Sequence, residues 1–269
     1  MQSRRMQMEK RITDEIEQKE GLLQDIERPV PLKIMPMQHH KEVIISARDY
    51  AIAYRLEGTQ TAEAGNFREV FSHLNFELRR GERLFLHGEN GCGKSSLIKA
   101  VLAQNDRSAQ QQTMPAGDGD KEQNDRNRRA SMPDTMKESG ELSVASGLVI
   151  SYINQDTSHL RGSLKEYGKV NGLDESLFFA ILRQLDLERV QFTKRMEDYS
   201  EGQKKKVLIA ASLLKPAHVY IWDEPLNYID VFSRMQIEKL ILDYKPTMLI
   251  VEHDVRFREK IATGVVEIG

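Results

Sequence analysis

The segment Gly88-Glu89-Asn90-Gly91-Cys92-Gly93-Lys94-Ser95 constrains this chain more than any other part of it. It fits the spacing G-x-x-x-x-G-K-[ST]. A short apolar run, Arg83 to His87, precedes it, and a helix is predicted from Ser95 to about Ala103. Glycines let backbone N–H groups curl around an anion, and the helix N-terminus adds a favourable dipole. Lys94 can reach the β- and γ-phosphates of a nucleotide, and the Ser95 hydroxyl can ligate Mg²⁺. A chain with this unit must build a strand, a tight loop and a helix in that order.

The rest of the sequence supplies more such units. Val43 to Tyr54, Val70 to Leu78, Leu148 to Ile153, Val219 to Trp222 and Met248 to Val251 read as strands. Helical patterns alternate with them. Residues 157–199 read as mostly helical, with Leu177, Phe178, Ile181, Leu182 and Leu185 on one apolar face, and a further helix runs from near Gly202 to Leu214. Alternation of this kind implies an α/β core with a mainly parallel sheet. Residues 106–137 are Gln, Asn, Ser, Asp, Arg and Lys with almost no large apolar residue, and they read as a disordered insertion unable to offset its chain entropy.

Residues 3 to about 27 read as one long amphipathic helix, with Met8, Ile12, Ile16, Leu23 and Ile26 in a stripe, stopped by Pro29 and Pro31. Such a stripe needs a partner helix, and no second helix of that type occurs in the sequence. The charge is balanced, at -2 with a pI near 6.4, so whole-chain electrostatics give no argument for nucleic acid or lipid. No apolar run approaches the ~20 residues that span a bilayer, and residues 1–10 lack the apolar core of a secretory signal. With one cysteine, Cys92, the expected compartment is the reducing cytoplasm, and the chain has no membrane segment of its own.

Asp223-Glu224 closes the strand Val219 to Trp222, which in a parallel sheet places it beside the phosphate loop. Asp223 would hold Mg²⁺ directly or through water, and Glu224 would polarise an attacking water as general base. Gln155 follows the strand Leu148 to Ile153, His253 follows Met248 to Val251, and Tyr199-Ser200-Glu201-Gly202-Gln203 opens a helix about twenty residues before Asp223.

In order and spacing these motifs resemble those of the ATP-binding-cassette (ABC) ATPases, from about residue 43 to 269 with the insertion excepted. The resemblance implies a phosphate-loop ABC domain with a mainly parallel core sheet, an antiparallel β-subdomain and a helical subdomain (residues 157–199), preceded by a long helix. It implies ATP and Mg²⁺ as cofactors. Gly88, Glu89, Asn90, Gly91, Cys92, Gly93, Lys94, Ser95 and Ser96 would bind ATP, and Ser95, Gln155 and Asp223 would hold the metal. Glu224 would be catalytic, Gln155 would sense Mg²⁺ and water, and His253 would contact the γ-phosphate. Ser200, Gly202 and Gln203 would form the signature loop, and Asp230 matches the loop after the strand of Asp223. The adenine should stack on an upstream aromatic, with Tyr54 the candidate and Phe67 the fallback. Glu201 stands where the general pattern has glycine, and a carboxylate near a γ-phosphate costs electrostatic energy unless it points away.

An ABC site is composite, so the resemblance also implies a second ABC domain, in another copy or another chain. Glu224-Pro225-Leu226-Asn227-Tyr228-Ile229-Asp230 resembles the ABC-F subfamily more than transporter subunits. Stretches 200–207, 221–239 and 249–254 look like the second ABC domain of its antibiotic-resistance branch, which protects ribosomes from lincosamides, streptogramin A and pleuromutilins. Residues 1–30 then correspond to the C-terminal helix of an interdomain linker, the expected partner is the ribosome with its rRNA and P-site tRNA, and the chain reads as a truncated two-domain protein. Arg4, Arg5, Lys10 and Arg11 are candidate RNA contacts, although mixed charge there fits a solvated helix face better. Two other readings stay open: the ATP-binding subunit of a membrane transporter, and a degenerate domain that binds ATP without hydrolysing it.

Overall fold

Two sheets carry the architecture. The computed structural model describes residues 36–55, 67–113 and 136–269. The helix expected over residues 3–27, with Arg4, Arg5, Lys10 and Arg11, lies outside the described residues.

The first sheet is antiparallel, in the order β2 (Phe67–Arg79), β1 (Val43–Arg55), β4 (Met136–Val144). The second has five strands in the order β5 (Ile150–Ile153), β6 (Val219–Asp223), β7 (Met248–Val251), β3 (Arg83–His87), β8 (Gly264–Glu267). All its strand pairs are parallel, with Ile221 opposite Leu249 and Leu84 between Leu249 and Gly264. Every residue of β6 and β7 is buried, which is why these strands read as unbroken apolar runs rather than alternating ones. The expected architecture is present: a parallel core sheet, an antiparallel sheet and flanking helices.

The parallel order sends all strand C-termini to one edge. The phosphate loop leaves β3 there, Gln155 follows β5, Asp223 ends β6 and His253 follows β7. Helix α1 (Lys94–Thr113) buries Leu97, Ile98, Ala100 and Val101 in the core shared with β1 and β2. Helices α2 (Leu164–Val170) and α3 (Glu175–Gln184) form the helical part, followed by two 3₁₀ turns. Helix α4 (Glu201–Leu214) packs on the parallel sheet through a buried polar relay. The Trp222 indole N–H donates to Ser212 Oγ at 3.0 Å, and Ser212 Oγ lies 2.8 Å from Ser151 Oγ. Without it, the buried indole N–H would cost about 1–3 kcal/mol. Helices α5 (Val231–Tyr244) and α6 (Val255–Ile261) complete the described elements. No helix among the described residues is long and apolar enough to cross a membrane.

One expectation needs correction. The insertion was expected to be disordered from residue 106, but α1 continues to Thr113. Extending an existing helix costs far less than nucleating one, and Ser108 Oγ and Arg107 bond back to Gln104 one turn earlier. At the other end, Met136 and Lys137 already belong to β4, paired with Tyr54 and Ala53. Residues 114–135 lie outside the described residues. Within residues 157–199, helical over most of their length, Asn171 ends α2 and Asp174 caps α3.

Residues 36–42 run beside the loop that starts β6. Met37 N–H donates to Ala217 O at 2.8 Å, the buried His39 ring meets Ser146 O at 3.0 Å, and Arg80 Nη1 donates to His39 O at 2.9 Å.

Candidate functional site

Close approach dictates the glycines of the phosphate loop. A Cβ on Gly88 would lie 2.3 Å from Ile268 O, and one on Gly93 would lie 2.5 Å from Val70 Cγ1. Both residues have positive φ, as a loop curling its N–H groups inward requires. Lys94 is buried, and its Nζ donates to Gly88 O at 2.9 Å and Glu89 O at 2.8 Å. The ammonium thus spans the ring of the loop.

At the start of α1, Ser95 Oγ donates to Asp223 Oδ2 at 3.1 Å, and Gln155 Nε2 donates to Asp223 Oδ1 at 3.3 Å. Two residues from separate elements therefore meet on one buried carboxylate from a third. Among the described residues no cluster of three or more His, Cys, Asp or Glu could hold a metal. A hydroxyl and a carboxylate, with an amide that can turn its oxygen toward a cation, make a different set, one of hard oxygens. Such a set suits Mg²⁺, which keeps waters and phosphate oxygens in its remaining positions. The residues present fit the ion.

Beside Asp223, Glu224 adopts φ 50°, a left-handed conformation unusual for this residue. Both its carboxylate oxygens are engaged. Asn227 Nδ2 donates to Oε2 at 2.8 Å, and His253 Nε2 lies 3.4 Å from Oε1. Glu252, next to His253, is buried; its Oε1 accepts from Leu226 N–H at 2.7 Å and its Oε2 from His253 N–H at 3.1 Å. Burial pushes the Glu252 carboxyl above its ordinary range despite those two donors. It staples the segment after Glu224 to the residue that faces Glu224.

The signature residues are organised as a helix start. Ser200 Oγ accepts from Gln203 N–H at 3.3 Å and Gln203 Oε1 accepts from Ser200 N–H at 3.0 Å, a reciprocal cap on α4. Gly202 is buried against the segment after β6, where a Cβ would lie 2.4 Å from Tyr228 O. The Glu201 carboxylate is held within its own domain, accepting from Thr157 Oγ1 at 2.6 Å and Lys204 Nζ at 3.0 Å. Those partners, Thr157 first, hold it below the usual carboxylate range.

Tyr54 and Phe67 separate in their surroundings. Tyr54 OH donates to Ser96 Oγ at 3.1 Å, placing that ring beside the first turn of α1. Phe67 instead carries two cations, Arg55 at 5.8 Å and Lys137 at 5.6 Å from the ring centroid. Asp230 N-caps α5 through Ser233 N–H and pairs with Lys206 Nζ at 2.8 Å.

The structure thus brings Ser95, Asp223 and Gln155 onto one point, sets Glu224 against His253, and threads Lys94 through its own loop. The signature residues make their hydrogen bonds within α4 and not to these groups. Sequence reasoning missed Asn227, Glu252 and Lys205. The last is buried, and its Nζ reaches the carbonyls of Asn154 at 3.1 Å and Gln155 at 3.2 Å. Asn227 lay within a motif already noted, but Glu252 and Lys205 carry no signal apart from their neighbours in space.

The sequence profile of the "ABC transporter" family matches residues 71–227. ATP-binding protein Uup of Buchnera aphidicola subsp. Acyrthosiphon pisum (strain APS) is 29% identical over 205 residues, covering 73% of this chain and 29% of the relative. Ribosome protection protein VmlR of Bacillus subtilis (strain 168) is 27% identical over 225 residues, covering 80% of this chain and 34% of the relative. The chain spans about a third of the length of these relatives. Among solved structures, the ATP-binding subunit of an ABC transporter aligns with a TM-score of 0.57 at 20% identity, covering 84% of this chain and 85% of the other, a likeness of fold.

Proposed function

Because the chain belongs to the ABC transporter family, we propose that it binds Mg–ATP at Gly88–Ser96 and hydrolyses it, acting on the ribosome as an ABC-F protein. The observation that carries the ATP site is the convergence of Ser95 and Gln155 on Asp223, with Glu224 and His253 adjoining. The loop amides and Lys94 would bind the phosphates, and Tyr54 would stack on the adenine. Ser95, Asp223 and Gln155 would hold Mg²⁺, which supplies charge neutralisation on the phosphate oxygens. Glu224 would accept a proton from the attacking water, oriented by Asn227 and His253. Ser200, Gly202 and Gln203 would serve a nucleotide held by a second ABC domain, in another copy or another chain.

Similarity to a ribosome protection protein and the run Glu224-Pro225-Leu226-Asn227-Tyr228-Ile229-Asp230 support the ribosomal reading, and with it antibiotic resistance by ribosomal protection. The test is a Glu224→Gln variant, which keeps the hydrogen-bonding shape but cannot take a proton. With ATP it should hold nucleotide and co-sediment with ribosomes, and without ATP it should not. Bound nucleotide without co-sedimentation sinks the ribosomal partner. No bound nucleotide sinks the ATP site itself.

A further inference from the structure

The run Lys204-Lys205-Lys206 looks in sequence like a solvated basic patch, yet Lys205 is 3% exposed and Lys206 8%. Lys206 pairs with Asp230, whereas Lys205 reaches the backbone around Gln155. Glu201 and Lys205 stand at i and i+4 on α4, one above the other on the same face. Thr157 Oγ1 donates to Glu201 at 2.6 Å, and Lys205 Nζ donates to Asn154 O at 3.1 Å and Gln155 O at 3.2 Å. The loop of residues 154–157 is therefore pinned at both ends by one turn of the signature helix. Packing does not account for a charge here. A methionine of similar length would fill the same space without the cost of stripping water from an ammonium. What the ammonium adds is a fixed position for two carbonyls, and the side chain of one of those residues is the amide that meets Asp223 at 3.3 Å.

We propose that Lys205 is a positioning residue for the metal face: with the Glu201–Thr157 bond it sets the Gln155 backbone so that the signature helix and the Gln155 amide move as one body. This rests on the reading of Ser95, Asp223 and Gln155 as a Mg–ATP site. It also gives Glu201 a task where the general signature pattern has glycine. The carboxylate forms the second jaw of the clamp.

The test is fluorescent ATP-analogue binding titrated with Mg²⁺, on the parent chain, Lys205→Met, Gln155→Ala and the double variant. Lys205→Met should leave Mg²⁺-free nucleotide binding unchanged and weaken the Mg²⁺ dependence about tenfold or more, the usual effect of removing a group that orients a metal ligand. In the Gln155→Ala background the same change should add little, because both act through one side chain. A parent-like Mg²⁺ dependence in Lys205→Met, or full additivity with Gln155→Ala, overturns the proposal. Should Lys205→Met lose its cooperative melt, Thr157→Val decides. That variant removes only the hydroxyl at the other jaw and should shift the Mg²⁺ midpoint in the same direction by about threefold, the net worth of one hydrogen bond, while an unmoved midpoint overturns the clamp. A parent chain that binds no nucleotide overturns the Mg–ATP reading and this proposal with it.

Discussion

Replacing Gly202 with alanine sets two effects of opposite sign against each other. Helix propensity alone favours alanine by about 1 kcal/mol. Against it, the new Cβ would lie 2.4 Å from Tyr228 O, so the two backbones must part by about 0.6 Å to reach the 3.0 Å below which real Cβ contacts essentially never fall. The atom opposite is backbone, and its segment is tied on both sides, by Asn227 to Glu224 at 2.8 Å and by Asp230 to Lys206 at 2.8 Å. Overpacking against so constrained a neighbour costs about 1–3 kcal/mol, and loosening the partly exposed Lys206–Asp230 pair adds at most about 1 kcal/mol. The clash wins, by up to about 3 kcal/mol net. For a chain of this size each kcal/mol moves Tm by about 2–4 °C, so Gly202→Ala should melt below the parent, by up to roughly 12 °C, in differential scanning fluorimetry. Its ATP hydrolysis should fall as well, since Asn227 would be displaced from Glu224. A Tm equal to or above the parent's would show that propensity outweighs the contact and would refute the reasoning.

Other perturbations probe separate parts of the site. Cys92 is half-buried in the phosphate loop, with its Sγ 3.8 Å from Lys94 Nζ. Alkylating it should abolish nucleotide binding and saturating ATP should protect it, whereas labelling at an unchanged rate with ATP would place the thiol outside the nucleotide's footprint. For Asp230, burial acts to raise the pKa, but Lys206 and the Ser233 N–H and hydroxyl prevail and hold it well below its ordinary 3.8. A depressed acid contributes its stability above the unfolded value and loses it as pH falls through the folded one. Urea unfolding should therefore show the parent losing its advantage over Asp230→Asn below about pH 4. A difference between the two that stays constant from pH 7 to pH 3 would contradict the assignment.

What the sequence disclosed was whatever a single residue type must do by itself. Gly88, Gly93 and Lys94 are forced by the curl of one loop, and β6 and β7 are legible because a strand buried on both faces has no polar residue to interrupt it. Glu252 and Lys205 were not legible, because each acts on a backbone brought close only by the tertiary fold. Glu252 reaches Leu226, 26 positions away, and Lys205 reaches Gln155, 50 positions away. The far half of α1 was hidden for a different reason: its polar composition lacks a core-facing stripe, and the helix is carried forward from a well-packed first half. A carboxylate at Glu201 is costly beside a γ-phosphate, and only the fold shows that Thr157 and Lys204 claim it.

The strand that ends in Asp223 and Glu224 is five residues long and wholly enclosed, so it spans about 17 Å. Met37 and His39 lie against its opposite end, held at Ala217 and Ser146. A rod walled in on every side has no room to bow. Residues 37–39 and the two acids therefore sit toward opposite ends of one enclosed strand, joined by backbone that has no exposed residue along its length.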